Sequence, residues 1–159
     1  MIEEMTTVQF KIPKTNVPVV CHTTAGEAIA GNIFLDVMGK WALQHLHEFF
    51  ETEIPFFPIQ ASKTEKPFLI ARKVLVLVEL ISFATLLQKD TSIMLSKKKF
   101  VILDLQGLGP VHCEILIDTP ADRSRILDVL NHPGNFLSIV WNDTYSLVNK
   151  THIFRAVEV

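Results

Sequence analysis

Residues 18–36 (PVVCHTTAGEAIAGNIFLD) lie over residues 100–118 (FVILDLQGLGPVHCEILID) without a gap, as if one unit were written twice in the chain. The overlay closes on Asp36 and Asp118 and sets Ile33 on Ile115. Further on, residues 56–59 meet 136–139, and KVLVLVEL (73–80) meets HIFRAVEV (152–159), so the separation drifts from 82 to 79 positions. Self-similarity at a nearly fixed spacing constrains architecture before any single residue does. In a chain that is 48% hydrophobic, apolar residues often align by chance. The shared order of strand, turn and helix signals therefore carries more weight than the identities.

Each copy has the same internal grammar. The first opens with a β-branched run at 17–24, turns at Ala25-Gly26 and returns through 27–36. The second runs through 100–105, turns at 106–110 with Gly107 and Gly109, and returns through 111–118. After each closing aspartate the hydrophobic period changes from two to about 3.6. Ala42, Leu43, Leu46, Phe49 and Phe50 form a helical stripe that ends before Pro55. In the second copy Thr119, Pro120 and Asp122 read as a helix start, Ile126, Leu127 and Leu130 as its apolar face, and Pro133-Gly134 as its stop.

Third strands follow at 56–61 and 136–140. Each copy then ends in a strand, a short polar break and a strand: 68–70, Arg72-Lys73 and 74–80, then 145–148, Asn149-Lys150-Thr151 and 153–159. The expected fold class is therefore mostly β with two helices (α+β), as two tandem β-β-α-β-β-β small-barrel-like repeats with pseudo-two-fold symmetry. The boundaries are 1–16 for an N-terminal arm or edge strand, where Val8, Phe10 and Ile12 alternate, and 17–80 for the first repeat. A connector at 81–97 and a second repeat at 98–159 complete the chain. A unit of about 60 residues buries little core alone, and packing two together relieves that.

A hairpin with a Gly-containing turn, an aspartate-ended strand and a closing strand–break–strand resembles the small SH3-type and Sm-like barrels. LDVMG (35–39) resembles the Asp…Met-Asn stretch of Sm proteins, and LIARKVLVLV (69–78) their closing Ile-Arg-Gly…Ile segment. Both copies are also similar to an uncharacterised family of short bacterial domains with a closing Asn-Lys-x-x-Ile run, matched by Asn149, Lys150 and Ile153. The chain departs from the Sm pattern in its helix, in Gly39 and in lacking an Arg-Gly pair. The resemblance thus implies architecture, and Sm-type RNA contacts do not transfer residue by residue.

Composition bounds the partners. Of 159 residues 20% are charged, with a net charge of −2, so the chain exerts no general pull on nucleic acid or anionic lipid. MIEEMTTVQF has no apolar stretch and does not read as a secretory signal. Residues 68–87 are long enough for a membrane span, but Arg72, Lys73 and Glu79 interrupt them. Two cysteines build no disulfide framework, and a cytoplasmic setting is expected.

Cys21-His22 and His112-Cys113 hold the residue types of a zinc site. Neighbours on a strand point to opposite faces, so neither pair converges on one ion, and no metal or other cofactor is expected. His45 and His47 are two apart on a helix and do not face each other. Asp36 and Asp118 read as turn or capping residues rather than a carboxylate dyad. Ser82, Ser92 and Ser96 have no nucleophile-elbow context, and the chain carries no P-loop, GxGxxG or HExxH, so it does not read as an enzyme.

The basic residues Arg72 and Lys73, the triplet Lys97, Lys98 and Lys99, and Lys150 with its neutral neighbour Asn149 stand in three places along the chain. These are the candidate contacts to a partner or to nucleic acid. Most phenylalanines fall on core positions, leaving Tyr145 and Trp141 as the aromatics expected at the surface. The leading expectation is a non-enzymatic module that binds another protein or assembles with itself. The alternatives are an Sm-like nucleic-acid-binding protein and a ligand sensor with an apolar pocket between the repeats.

Overall fold

Alternation of apolar and polar residues draws the first hairpin: in β1 (Thr15–Thr23) Val17, Val19 and Cys21 are buried between outward neighbours. β1 pairs antiparallel with β2 (Ala28–Leu35). The computed structural model describes residues 15–35, 42–61, 66–81, 97–117 and 125–159. The expected N-terminal edge strand, the aspartates 36 and 118, most of the 81–97 connector and the Thr119–Pro120–Asp122 helix start lie outside these residues.

Helix α1 (Ala42–Glu51) is followed by the short hairpin β3 (Phe56–Ile59) and β4 (Phe68–Ala71). A single 3-10 turn at Arg72–Val74 leads into β5 (Leu75–Glu79). The second half runs β6 (Lys97–Leu105), β7 (Gly109–Ile117), helix α2 (Ile126–Asn131), β8 (Phe136–Trp141) and β9 (Thr144–Asn149). Another 3-10 turn, Lys150–His152, leads into β10 (Ile153–Glu158). The described residues are thus mostly β with two helices, and neither helix is long and apolar enough to cross a membrane.

Eight strands form one antiparallel sheet in the order β10-β6-β7-β8-β9-β5-β1-β2. β3 and β4 form a separate ribbon, tied to β2 by the bridge between Asn32 and Gln60. Gly31 makes that approach possible, because a Cβ there would sit 2.8 Å from the Gln60 carbonyl oxygen. The small barrels expected from the sequence do not close among the described strands. A strand has two edges: β5 gives one to β1 and the other to β9, leaving none for β4. β9 is likewise filled by β8 and β5, leaving none for β10.

The β5–β9 pair is a wall between two cores. Leu75 and Val78 face one core with Val19, Ile33, Phe50 and Leu147; Val76 and Leu77 face the other with Leu103, Ile115, Ile139 and Val148. A strand covered on both faces reads as an unbroken apolar run, which is why LVLV shows no alternation. β8 and β9 turn over Asn142 and Asp143, both with positive φ (51° and 59°), the two-residue geometry that matches the right-handed twist of the strands.

Helix α2 differs from its sequence reading. Arg125, at its N-cap position, is extended, and the described helix runs from Ile126 to Asn131. Its inward face is Ile126, Val129 and Leu130, while Leu127 points to solvent.

Candidate interaction edges

Outer strands leave one row of backbone N–H and C=O groups unmatched, so their side chains decide what they accept. β10 pairs with β6 on one side only among the described strands. Its register sets Val157 opposite Ile102 and Arg155 opposite Asp104, and the Val159 N–H donates to the Phe100 carbonyl. Phe100, Phe154, Val157 and Val159 are all exposed, an apolar border along this edge. Beside it a groove of about 380 Å3 is lined by Phe100, His112, Glu114, Val140, Asn142 and Val159. That groove belongs to the second half alone and does not lie between the halves.

β4 is the second such edge, paired only with β3 among the described strands. Phe56, Phe68 and Leu69 are exposed here, while Phe57 and Ile70 turn inward. These aromatics reverse the sequence expectation. Tyr145 is buried, with its hydroxyl 2.8 Å from Ser138 Oγ, because β9 lies inside the shared wall. Trp141 is half-buried, edge-on to His22 with ring centroids 5.9 Å apart. Among the described residues the exposed aromatics are the phenylalanines Phe34, Phe56, Phe68, Phe100 and Phe154.

The basic candidates do not form one surface. Arg72 lies over the Phe49 and Phe57 rings, 4.8 and 5.1 Å from their centroids. Its Nε and Nη1 are buried without a hydrogen-bond partner among the described residues, and burial lowers its pKa. The ring faces stand in for the missing acceptors. Asn149 is buried; its Nδ2 donates to the Leu75 carbonyl and its Oδ1 accepts from the Thr151 N–H. Lys150 Nζ donates to the His132 carbonyl at 2.6 Å, and burial lowers its pKa against the opposing pull of Glu51.

Lys73 is exposed, and its carbonyl accepts from His152 Nε2 at 2.5 Å, so the two 3-10 turns sit side by side. Lys97, Lys98 and Lys99 begin β6, at the far end from the Gln106 N–H that bonds the His152 carbonyl. At about 3.3 Å per residue they stand roughly 25 Å from those turns. Lys99 lies 3.5 Å from Glu158.

Cys21 and Cys113 are buried in different cores, each thiol pushed up to about 12, by burial alone for Cys21 and by burial aided by Glu114 for Cys113. Among the described residues no three His, Cys, Asp or Glu side chains gather as a metal site. His47 lies 3.4 Å from Glu51. The Glu51 carboxylate also accepts the N–H groups of Asn135 and Phe136 at 2.7–2.9 Å, tying α1 to the start of β8. No periodicity marked that role; the one signal is a glutamate at a helix C-terminus, where the dipole does not favour it.

Comparison with protein-family models, with curated proteins and with solved structures finds no match to this chain.

Proposed function

We propose that the chain is two copies of one β-β-α-β-β-β unit fused along a shared wall, and that it is a non-enzymatic protein-interaction or assembly module acting through the β4 and β10 edges. The observation that carries the functional reading is the exposed apolar row on β10, an outer strand with Phe154, Val157 and the adjoining Phe100 in solvent.

Register supports the duplication. Val19 opposes Gly31 in the first hairpin, and 82 positions later Val101 opposes Cys113 in the second. The Asn32–Gln60 bridge has its counterpart in Glu114 opposite Val140. The Thr24 N–H bonds the Val74 carbonyl as Gln106 bonds His152, and Arg72 bonds Pro55 as Lys150 bonds Asn135. Both closing strands carry a bulge at one place, skipping Val76 in β5 and Phe154 in β10. These bulges align β5 with β10 at 78 positions, one fewer than side-chain similarity suggests. A one-residue slip exchanges the two faces of a strand, so 78 is the separation that matters.

Sedimentation of the labelled chain in an extract of its own cells tests the interaction reading. A species heavier than the 18.0 kDa chain, lost on Phe154→Asp, is expected. A free chain in the extract would contradict it.

Nucleic-acid binding in the Sm-like manner is the second reading, and the adjacent turns at Lys73 and His152 favour it. It requires RNA retention that weakens steeply with salt, measurable as a mobility shift at low ionic strength.

A further inference from the structure

The contact that joins the halves has a counterpart that is left unmade. Under the equivalence proposed above, β10 corresponds to β5 and β4 to β9. β5 and β9 pair inside the chain; β10 and β4 do not meet among the described residues. We infer that a second copy of this chain makes that pair, with β10 of one molecule adding to β4 of the next. This inference rests on the interaction reading and names its partner.

The register follows from the internal pair. Leu77, Val78 and Glu79 oppose Val148, Leu147 and Ser146. Shifted by 78 positions, Arg155 lies opposite Ile70 of the next molecule, Ala156 opposite Leu69 and Val157 opposite Phe68. Three large apolar side chains at the internal junction have large apolar counterparts at the open edges. At the internal junction Val76 enters the second core, while Phe136 and Leu147 enter the first. Their counterparts are Phe154, Phe56 and Leu69, which are 70%, 55% and 70% exposed. The same positions hold large apolar groups in both places, covered where the junction is made and bare where it is not. Each open edge thus has its complement on the other end of the same chain.

The two surfaces are different, so the contact is head to tail and builds a closed ring of two or more chains or an open filament. Leu69→Asp spoils the β4 surface and Phe154→Asp the β10 surface, and both side chains are exposed, so circular dichroism should show the fold retained.

Sedimentation velocity is run on the pure chain across a wide concentration range. The wild type is expected to gain mass with concentration, and each variant alone to remain at 18.0 kDa. An equimolar mixture of the two variants retains one intact interface and is expected to sediment at twice the chain mass. A wild type that stays monomeric overturns the inference, as do variants that associate like the wild type, or a mixture that forms no dimer. A chain that is monomeric when pure but heavier in extract, and sensitive there to Phe154→Asp, defeats self-assembly and leaves the interaction reading standing. A monomer in both settings defeats both.

Discussion

Asn149 reaches across the junction between the halves, its side-chain N–H donating to the Leu75 carbonyl at 2.9 Å. The same amide's oxygen accepts the Thr151 N–H at 3.1 Å, fixing the 3-10 turn before β10. Asn149 thus couples the wall strand β5 to the exit of β9 from a buried position. Its counterpart Ala71 carries no such group.

Asn149→Ala is therefore expected to cost about 1–3 kcal/mol, because the Leu75 carbonyl is left buried and unmet. Asn149→Asp should cost more, since it sets a carboxylate against a carbonyl oxygen. Urea unfolding followed by circular dichroism checks both; an alanine variant as stable as the wild type would remove the coupling.

The two hairpin turns touch, and glycine is what lets them. Gly107 has φ +78°, and a Cβ there would lie 2.6 Å from the Thr24 carbonyl oxygen. Gly109 has φ +82° with nothing within 4 Å of a Cβ. Gly109→Ala should cost about 1–2 kcal/mol from the left-handed backbone alone. Gly107→Ala should exceed it, and thermal unfolding of the pair isolates the contact between the turns. Equal losses would mean the turns part without penalty.

Stability should fall on the alkaline side. An unfolded cysteine releases its proton near pH 8.5, while the folded Cys21 and Cys113 thiols hold theirs up to about 12. Between these values the folded state binds more protons than the unfolded state, so the unfolding free energy decreases as pH rises. Each thiol contributes a slope of up to about 1.4 kcal/mol per pH unit. Urea titrations from neutral to alkaline pH should show a shallower decline in the Cys21→Ala/Cys113→Ala protein. Native thiols should also react slowly with alkylating reagents at neutral pH, and fast labelling without denaturant would contradict the burial.

Hairpins were readable because one covered face writes period two into the chain: Val17, Val19 and Cys21 in β1, Val111, Cys113 and Ile115 in β7. Helix α1 was readable from its stripe, which buries Leu46 and Phe50. What covers β5 and β9 was not. Val76 and Leu147 read as apolar in any buried strand, and pairing across the halves leaves no local periodicity. The closing strands misalign by one residue in sequence because Val78-Glu79 matches Val157-Glu158 in residue type, whereas the equivalent bulges at Val76 and Phe154 set the backbone separation at 78. Among the candidate contacts, residue type suggested a surface, whereas Arg72 and Asn149 serve the interior. The exposed phenylalanines were equally hidden, since an apolar strand residue looks the same whether its neighbour is present or absent.

Amide hydrogen exchange at increasing concentrations of the pure chain tests the assembly account most directly. The account predicts that amides in Phe68–Ala71 and Ile153–Glu158 gain protection together as concentration rises, while β1, β5 and β9 stay unchanged. Equal exchange from those two segments at every concentration would contradict it.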